Sequence, residues 1–161
     1  MDVVATTVAI AAATLAASVD IRYRRIPNWL TASLVVTGLL LNVWQFGLGG
    51  GGLALAGAGL GLAVLLPFYA VRAIGAGDVK LLAGLGALLG PHVLVSVAVY
   101  TALAGGVISA VMLAKSGRLW RVLCEVFIEH RPPTRGGATA PYAVAIAGGM
   151  YLSLVLPGVL G

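Results

Sequence analysis

Charge is what this chain has least of. Only 9% of its 161 residues are charged, ten basic and five acidic, against 60% that are hydrophobic, where soluble proteins run at about 25% and about 45–50%. A fold in water needs a polar shell around its core, and so few ionised groups cannot supply one. Cysteine is nearly absent as well: Cys124 alone permits no internal disulfide and no thiolate cluster for zinc, and reads as an inert thiol. Aromatic residues do not interleave with the basic ones, which argues against nucleic acid as the reason for the net charge of +5. The opening Met1-Asp2-Val3 lacks a basic n-region, so the Ala-rich stretch behind it is expected to remain as a helix and not to be removed as a secretory signal.

What the chain does have is long apolar runs. They cover Val3–Val19, Trp29–Phe46, Leu53–Val71, Val79–Gly90, Val93–Ala114 and Ala140–Leu160. At roughly 20 residues per crossing, they predict an all-α polytopic membrane protein: one transmembrane domain over residues 1–161, a bundle of about six helices. The fourth run covers only about half of the hydrocarbon thickness, so it is expected inside the bundle. Plentiful Gly and Ala in the runs predict tight helix packing. Gly49–Gly52 reads as a flexible connector and Gly90-Pro91-His92 as a tight turn.

The remaining connections carry the positive charge. Arg22, Arg24 and Arg25 lie in the first, Arg72 and Lys80 in the third, and Lys115, Arg118, Arg121, Arg131 and Arg135 in the fifth. The positive-inside rule makes all three cytoplasmic, with both termini outside a cytoplasmic (inner) membrane. Within the fifth, Lys115–His130 alternates apolar and charged residues as a short amphipathic helix in the headgroup region would. Trp29, Trp44 and Trp120 fall near run ends, as interfacial anchors do, while His92 and His130 read as solvated surface residues.

Of the acidic residues, Asp2 is terminal, and Glu125 and Glu129 belong to the amphipathic stretch. That leaves Asp20, which closes the first run, and Asp78, which opens the fourth. Two complete runs separate them, so the chain returns both carboxylates to the same face, where they can meet. Acids at a membrane boundary are costly unless hydrated, paired or functional. Structural roles exist for each: Asp20 can pair with Arg24, and Asp78 can cap the N-terminus of the fourth helix.

The settings of the two acids carry more information. Asp78 stands in Gly75-Ala76-Gly77-Asp78-Val79-Lys80, where two glycines let the backbone bend and admit a close partner. Asp20 opens Asp20-Ile21-Arg22-Tyr23-Arg24-Arg25-Ile26-Pro27-Asn28, where Pro27 enforces an extended approach and can start a helix. Both segments resemble the two active-site motifs of the type IV prepilin peptidases, a family of GxGD-type intramembrane aspartic proteases. Pro141-Tyr142-Ala143-Val144-Ala145 resembles that family's C-terminal motif. The resemblance covers nearly the whole chain in order, and it implies that Asp20 and Asp78 are the catalytic pair. It further implies that Gly75 and Gly77 shape the site, and that Arg25, Pro27, Asn28, Lys80, Pro141 and Tyr142 support it or meet substrate.

The chemistry agrees. Two carboxylates held close share a proton and titrate as a pair. The ionised member can take a proton from water while the protonated one polarises the scissile carbonyl, with no metal or cofactor required. Lys80, two positions after Asp78, points to a different side of a helix and reads as a snorkelling or field-setting cation. The implied substrates are prepilin or pseudopilin precursors, cut at the cytoplasmic face. Long members of the family carry an insertion with paired CxxC motifs and are linked to methylation of the new N-terminus. Nothing of that kind fits between Asp20 and Trp29, so the chain resembles the short, peptidase-only form of tight-adherence (Flp-type) pili, with an archaeal preflagellin role as a neighbour. Two other classes remain open: a small proton-coupled transporter component with Asp20 and Asp78 as relay carboxylates, which ought to show internal repeats, and a non-catalytic scaffold for pilus assembly.

Overall fold

The computed structural model describes residues 3–70, 74–117 and 142–156. Among these there is no strand, and four helices account for the fold: α1 (Val3–Tyr23), α2 (Asn28–Ala70), α3 (Ala76–Lys115) and α4 (Tyr142–Val155). The chain is an all-helical membrane protein. Helices α1, α2 and α3 are each long and apolar enough to cross a bilayer. The expected amphipathic stretch after Lys115, with Trp120, Cys124, Glu125, Glu129 and His130, lies outside the described residues, as do Arg72 and Pro141.

Both long helices are broken once, at a glycine. Gly47 has φ 63° and ψ −152°, and Gly90 has φ 76° and ψ 170°, conformations in which a Cβ would clash with its own backbone. The chain doubles back at each. Gly50 rests on Asn42, and Gly51 meets Val43 and Leu39 across the first break, while Gly86 meets Leu94 across the second. The described residues therefore form six helical segments: α1, residues 28–46, 48–70, 76–89 and 91–115, and α4. The connector expected at Gly49–Gly52 is corrected: those residues are helical, Gly50 and Gly51 are buried, and Gly47 alone makes the turn.

Residues 81–88 are buried on every side, as a helix apolar all round demands, so the short fourth run sits inside the bundle as expected. Its neighbours approach through missing side chains. A Cβ on Gly38 would lie 2.5 Å from the Ala87 carbonyl carbon, and one on Gly61 would lie 2.7 Å from the Leu82 carbonyl oxygen. Gly57 and Gly86 touch backbone to backbone, the small-residue contact by which helices associate in lipid. On α1, Ala5, Ala9, Ala12, Ala13, Ala16 and Ala17 form a buried face at helical spacing. Thr14 Oγ1 and the Tyr151 hydroxyl, 2.8 Å apart, tie α1 to α4.

Asn42 serves the second break. Pro91 has no N–H to give Ala87, four residues back, and the partner Leu88 would use lies beyond Gly90. The Asn42 side-chain amide fills the gap, donating to the carbonyls of Gly38 (2.9 Å), Ala87 (3.0 Å) and Leu88 (3.3 Å). Both breaks and the start of α1 share one end of the bundle, around a cavity of about 260 Å³ that includes Thr6, Asn42 and His92. The opposite end holds the aspartates.

Candidate active site

Asp20 sits in the last turn of α1. The helix stops because Arg24 turns left-handed (φ 51°) after its N–H closes the final bond on the Asp20 carbonyl at 2.8 Å. Pro27 holds the next residues extended, and α2 starts immediately at Asn28, with Leu30 N–H on the Pro27 carbonyl at 3.1 Å. The turn is short, so the ends of α1 and α2 stay together.

Asp78 lies in the first turn of α3, at the third helical position behind the extended N-cap Gly75. The sequence allowed it the cap itself. It makes the reciprocal contact instead: the Gly75 N–H donates to Asp78 Oδ2 at 3.1 Å. A Cβ at Gly75 would sit 3.2 Å from that oxygen. The other oxygen, Oδ1, is buried and has no hydrogen-bond partner among the described residues.

The two acids come together from positions 58 residues apart in a chain. Each is 8% exposed, and the two stand near enough for their charges to interact. Tyr142, half-buried at the start of α4, lines a cavity together with Ile74, the residue before Gly75. Three elements thus converge here. Between the two turns, a Cβ on Gly77 would stand 3.0 Å from that of Ile26, and the Lys80 ammonium donates to Asn28 Oδ1 at 3.0 Å.

The residues singled out in the sequence fall as follows. Asp20, Asp78, Gly75, Gly77, Asn28, Lys80 and Tyr142 share one end, and Pro27 shapes its first turn. Lys80 meets Asn28, on a different side of α3 from the acid, as its spacing required. Arg25 is exposed in the extended link. Ile26, Ile74 and Asn42 escaped sequence reasoning. For Asn42 a signal existed: an amide within an apolar run is expensive unless it bonds. Among the described residues no three of His, Cys, Asp or Glu come together.

A family model, the type IV leader peptidase family, matches residues 7–110. This is well over half of the chain and contains both aspartate motifs. The chain belongs to the type IV leader peptidase family. No curated protein and no solved structure matches it. As a leader peptidase it hydrolyses a peptide bond in a leader-bearing precursor, and the family implies prepilin-type substrates. The match ends before α4, so Tyr142 enters the site on geometry and not on family membership.

Proposed function

We propose that this leader peptidase is an aspartic endopeptidase whose dyad is Asp20 and Asp78, and that it removes the leader from Flp-type prepilins or pseudopilins at the cytoplasmic face of the inner membrane. The observation that carries the reading is the meeting of two buried carboxylates, each from a different helix terminus, at one end of an apolar bundle. Their shared proton supplies both halves of the chemistry. One carboxylate removes a proton from water, the oxygen attacks the scissile carbonyl, and the protonated partner hydrogen-bonds the developing oxyanion. When the C–N bond breaks, the leaving amine takes up a proton from the pair, which returns to its starting state. Arg25, Pro27, Asn28, Gly75, Gly77, Lys80, Pro141 and Tyr142 then shape the site or meet substrate.

In this reading all six segments belong to the membrane domain, both termini lie outside, and the basic connections face the cytoplasm. The loops flanking the aspartates are too short to build a pocket for a bulky methyl donor, so the enzyme cuts without methylating.

The test is co-expression with a pilin precursor. Asp20→Asn and Asp78→Asn should each insert normally and leave the precursor uncut, whereas processing at the wild-type level by either variant rejects the dyad. A relay transporter would lose proton flux in sealed vesicles and cut nothing even as wild type. Sidedness is read by cysteine labelling at position 24, which should react only from the cytoplasm. Leu48, 92% exposed beside the Gly47 break, is the matching position for labelling from outside.

A further inference from the structure

Beside the aspartates a second feature opens, a cavity of about 360 Å³ between residues 64–68 of α2, residues 98–109 of α3 and the start of α4. Its volume lies within the range of about 300–1,000 Å³ typical of ligand pockets. Tyr142 and Ile74 border it. Ile74 precedes Gly75, whose N–H donates to the Asp78 carboxylate. The cavity therefore lies next to the turn that carries Asp78. Phe68 in its wall is 53% exposed, and Leu103 and Val107, on the same stretch of α3 as the lining residues Ala102, Gly105 and Gly106, are 60% and 64% exposed.

Among the described residues the wall has no charged side chain. Apart from the hydroxyls of Thr101, Ser109 and Tyr142 it is apolar, with Phe68 and Leu82 facing the small Ala102, Gly105 and Gly106. The two glycines differ. Gly105 is small because the Tyr142 ring lies against it, 3.0 Å from where its Cβ would be, whereas a Cβ on Gly106 would meet nothing within 4 Å. Gly49, Gly52 and Gly59 also meet nothing, yet none of them borders this cavity. The missing side chain at Gly106 serves no contact within the described chain; it leaves room. An apolar segment meets complementary surface in this wall.

We propose that this cavity is the subsite that receives the apolar side chains of the precursor next to the scissile bond, and that Gly106 sets how bulky those side chains can be. The inference rests on the peptidase reading. Unwinding the precursor for cleavage frees its backbone groups, which need partners in a dry site; Thr101, whose buried hydroxyl has no partner among the described residues, stands in the same wall.

Gly106→Leu adds a bulky side chain to the cavity wall at a position whose Cβ meets nothing within 4 Å, and Gly59→Leu is its control on a surface outside it. Each variant is co-expressed with two precursors, one with its native apolar residues next to the cut and one with those residues replaced by alanine. Gly106→Leu should process the native precursor roughly tenfold to a hundredfold more slowly and recover on the alanine precursor, while Gly59→Leu follows wild type on both. Wild-type processing of the native precursor by Gly106→Leu overturns the subsite. So does equal loss on both precursors, the result expected if the substitution disturbs packing or displaces a lipid acyl chain. If the wild-type chain itself cuts neither precursor, the peptidase reading fails first and takes the subsite with it.

Discussion

At the end of the bundle where both long helices break, the Asn42 amide is spent on three carbonyls. At the opposite end, Asp78 spends one oxygen on Gly75 and keeps Oδ1 buried and without a partner among the described residues. Both residues are polar groups in an apolar setting, and both stand beside a break in helical structure. The difference lies in what remains. A buried polar group left unsatisfied costs about 1–3 kcal/mol, more if charged, so a chain retains one only where something else uses it. Thr6, half-buried at the break end with a hydroxyl that has no partner among the described residues, is a milder case, since a hydroxyl costs less than a carboxylate. One end is finished as architecture, and the other is left open for a reactant.

Substitutions at the two ends test that division. The largest effect belongs to the aspartate end: Asp78→Asn should slow cleavage by roughly 10²–10⁴-fold, the range for a lost general acid or base, with thermal unfolding in detergent little changed. A large loss of stability would place Asp78 among the architectural residues. Asn42→Leu should do the reverse. By stranding the Ala87 and Leu88 carbonyls it should cost about 1–3 kcal/mol of stability, while initial rates per folded molecule stay near wild type. A collapse in rate at unchanged stability would erase the distinction between the ends.

Gly90→Ala places a Cβ at φ 76° and should cost roughly 1–2 kcal/mol. Gly49→Ala, on a helical residue with open space around it, should be neutral or gain roughly 0.5–1 kcal/mol; equal losses in denaturant titrations of the two would show that composition, not backbone conformation, matters there. The smallest effect is at Lys80. Its bond to Asn28 is exposed, so Lys80→Met should slow cleavage by about two- to fivefold, equivalent to roughly 0.5–1 kcal/mol. Lys80→Arg, which keeps a donor, should restore most of the rate. A Met variant as fast as wild type would mean that the clasp between the two turns positions nothing.

Much of this was legible beforehand because lipid leaves few options. With no water to satisfy the backbone, each apolar run had to be helical, and the count of runs between Asp20 and Asp78 alone returned them to one face. The turn at residue 47 was not legible. Any glycine of Gly47-Leu48-Gly49-Gly50-Gly51-Gly52 can adopt positive φ, and the choice falls to packing: Gly50 and Gly51 are needed against Asn42 and Val43, which leaves Gly47 to turn. The Asn28–Lys80 bond was hidden for a similar reason. Helical spacing said only that Lys80 avoids the Asp78 side, whereas its partner depends on how the start of α2 docks on the start of α3. Ile26 was invisible because nothing marks an isoleucine as the residue for which Gly77 leaves room.

Turning the chain at a single residue has a consequence for what the protein shows to its surroundings. Residues 28–46 and 48–70 are joined by Gly47 alone, and residues 76–89 and 91–115 by Gly90 alone, so neither turn projects beyond the helices it joins. A protease needs several residues of extended chain in its cleft, and an antibody needs a raised surface; these turns offer neither. On the proposed topology, in which these turns face outward, shaving intact cells should therefore leave both hairpins whole.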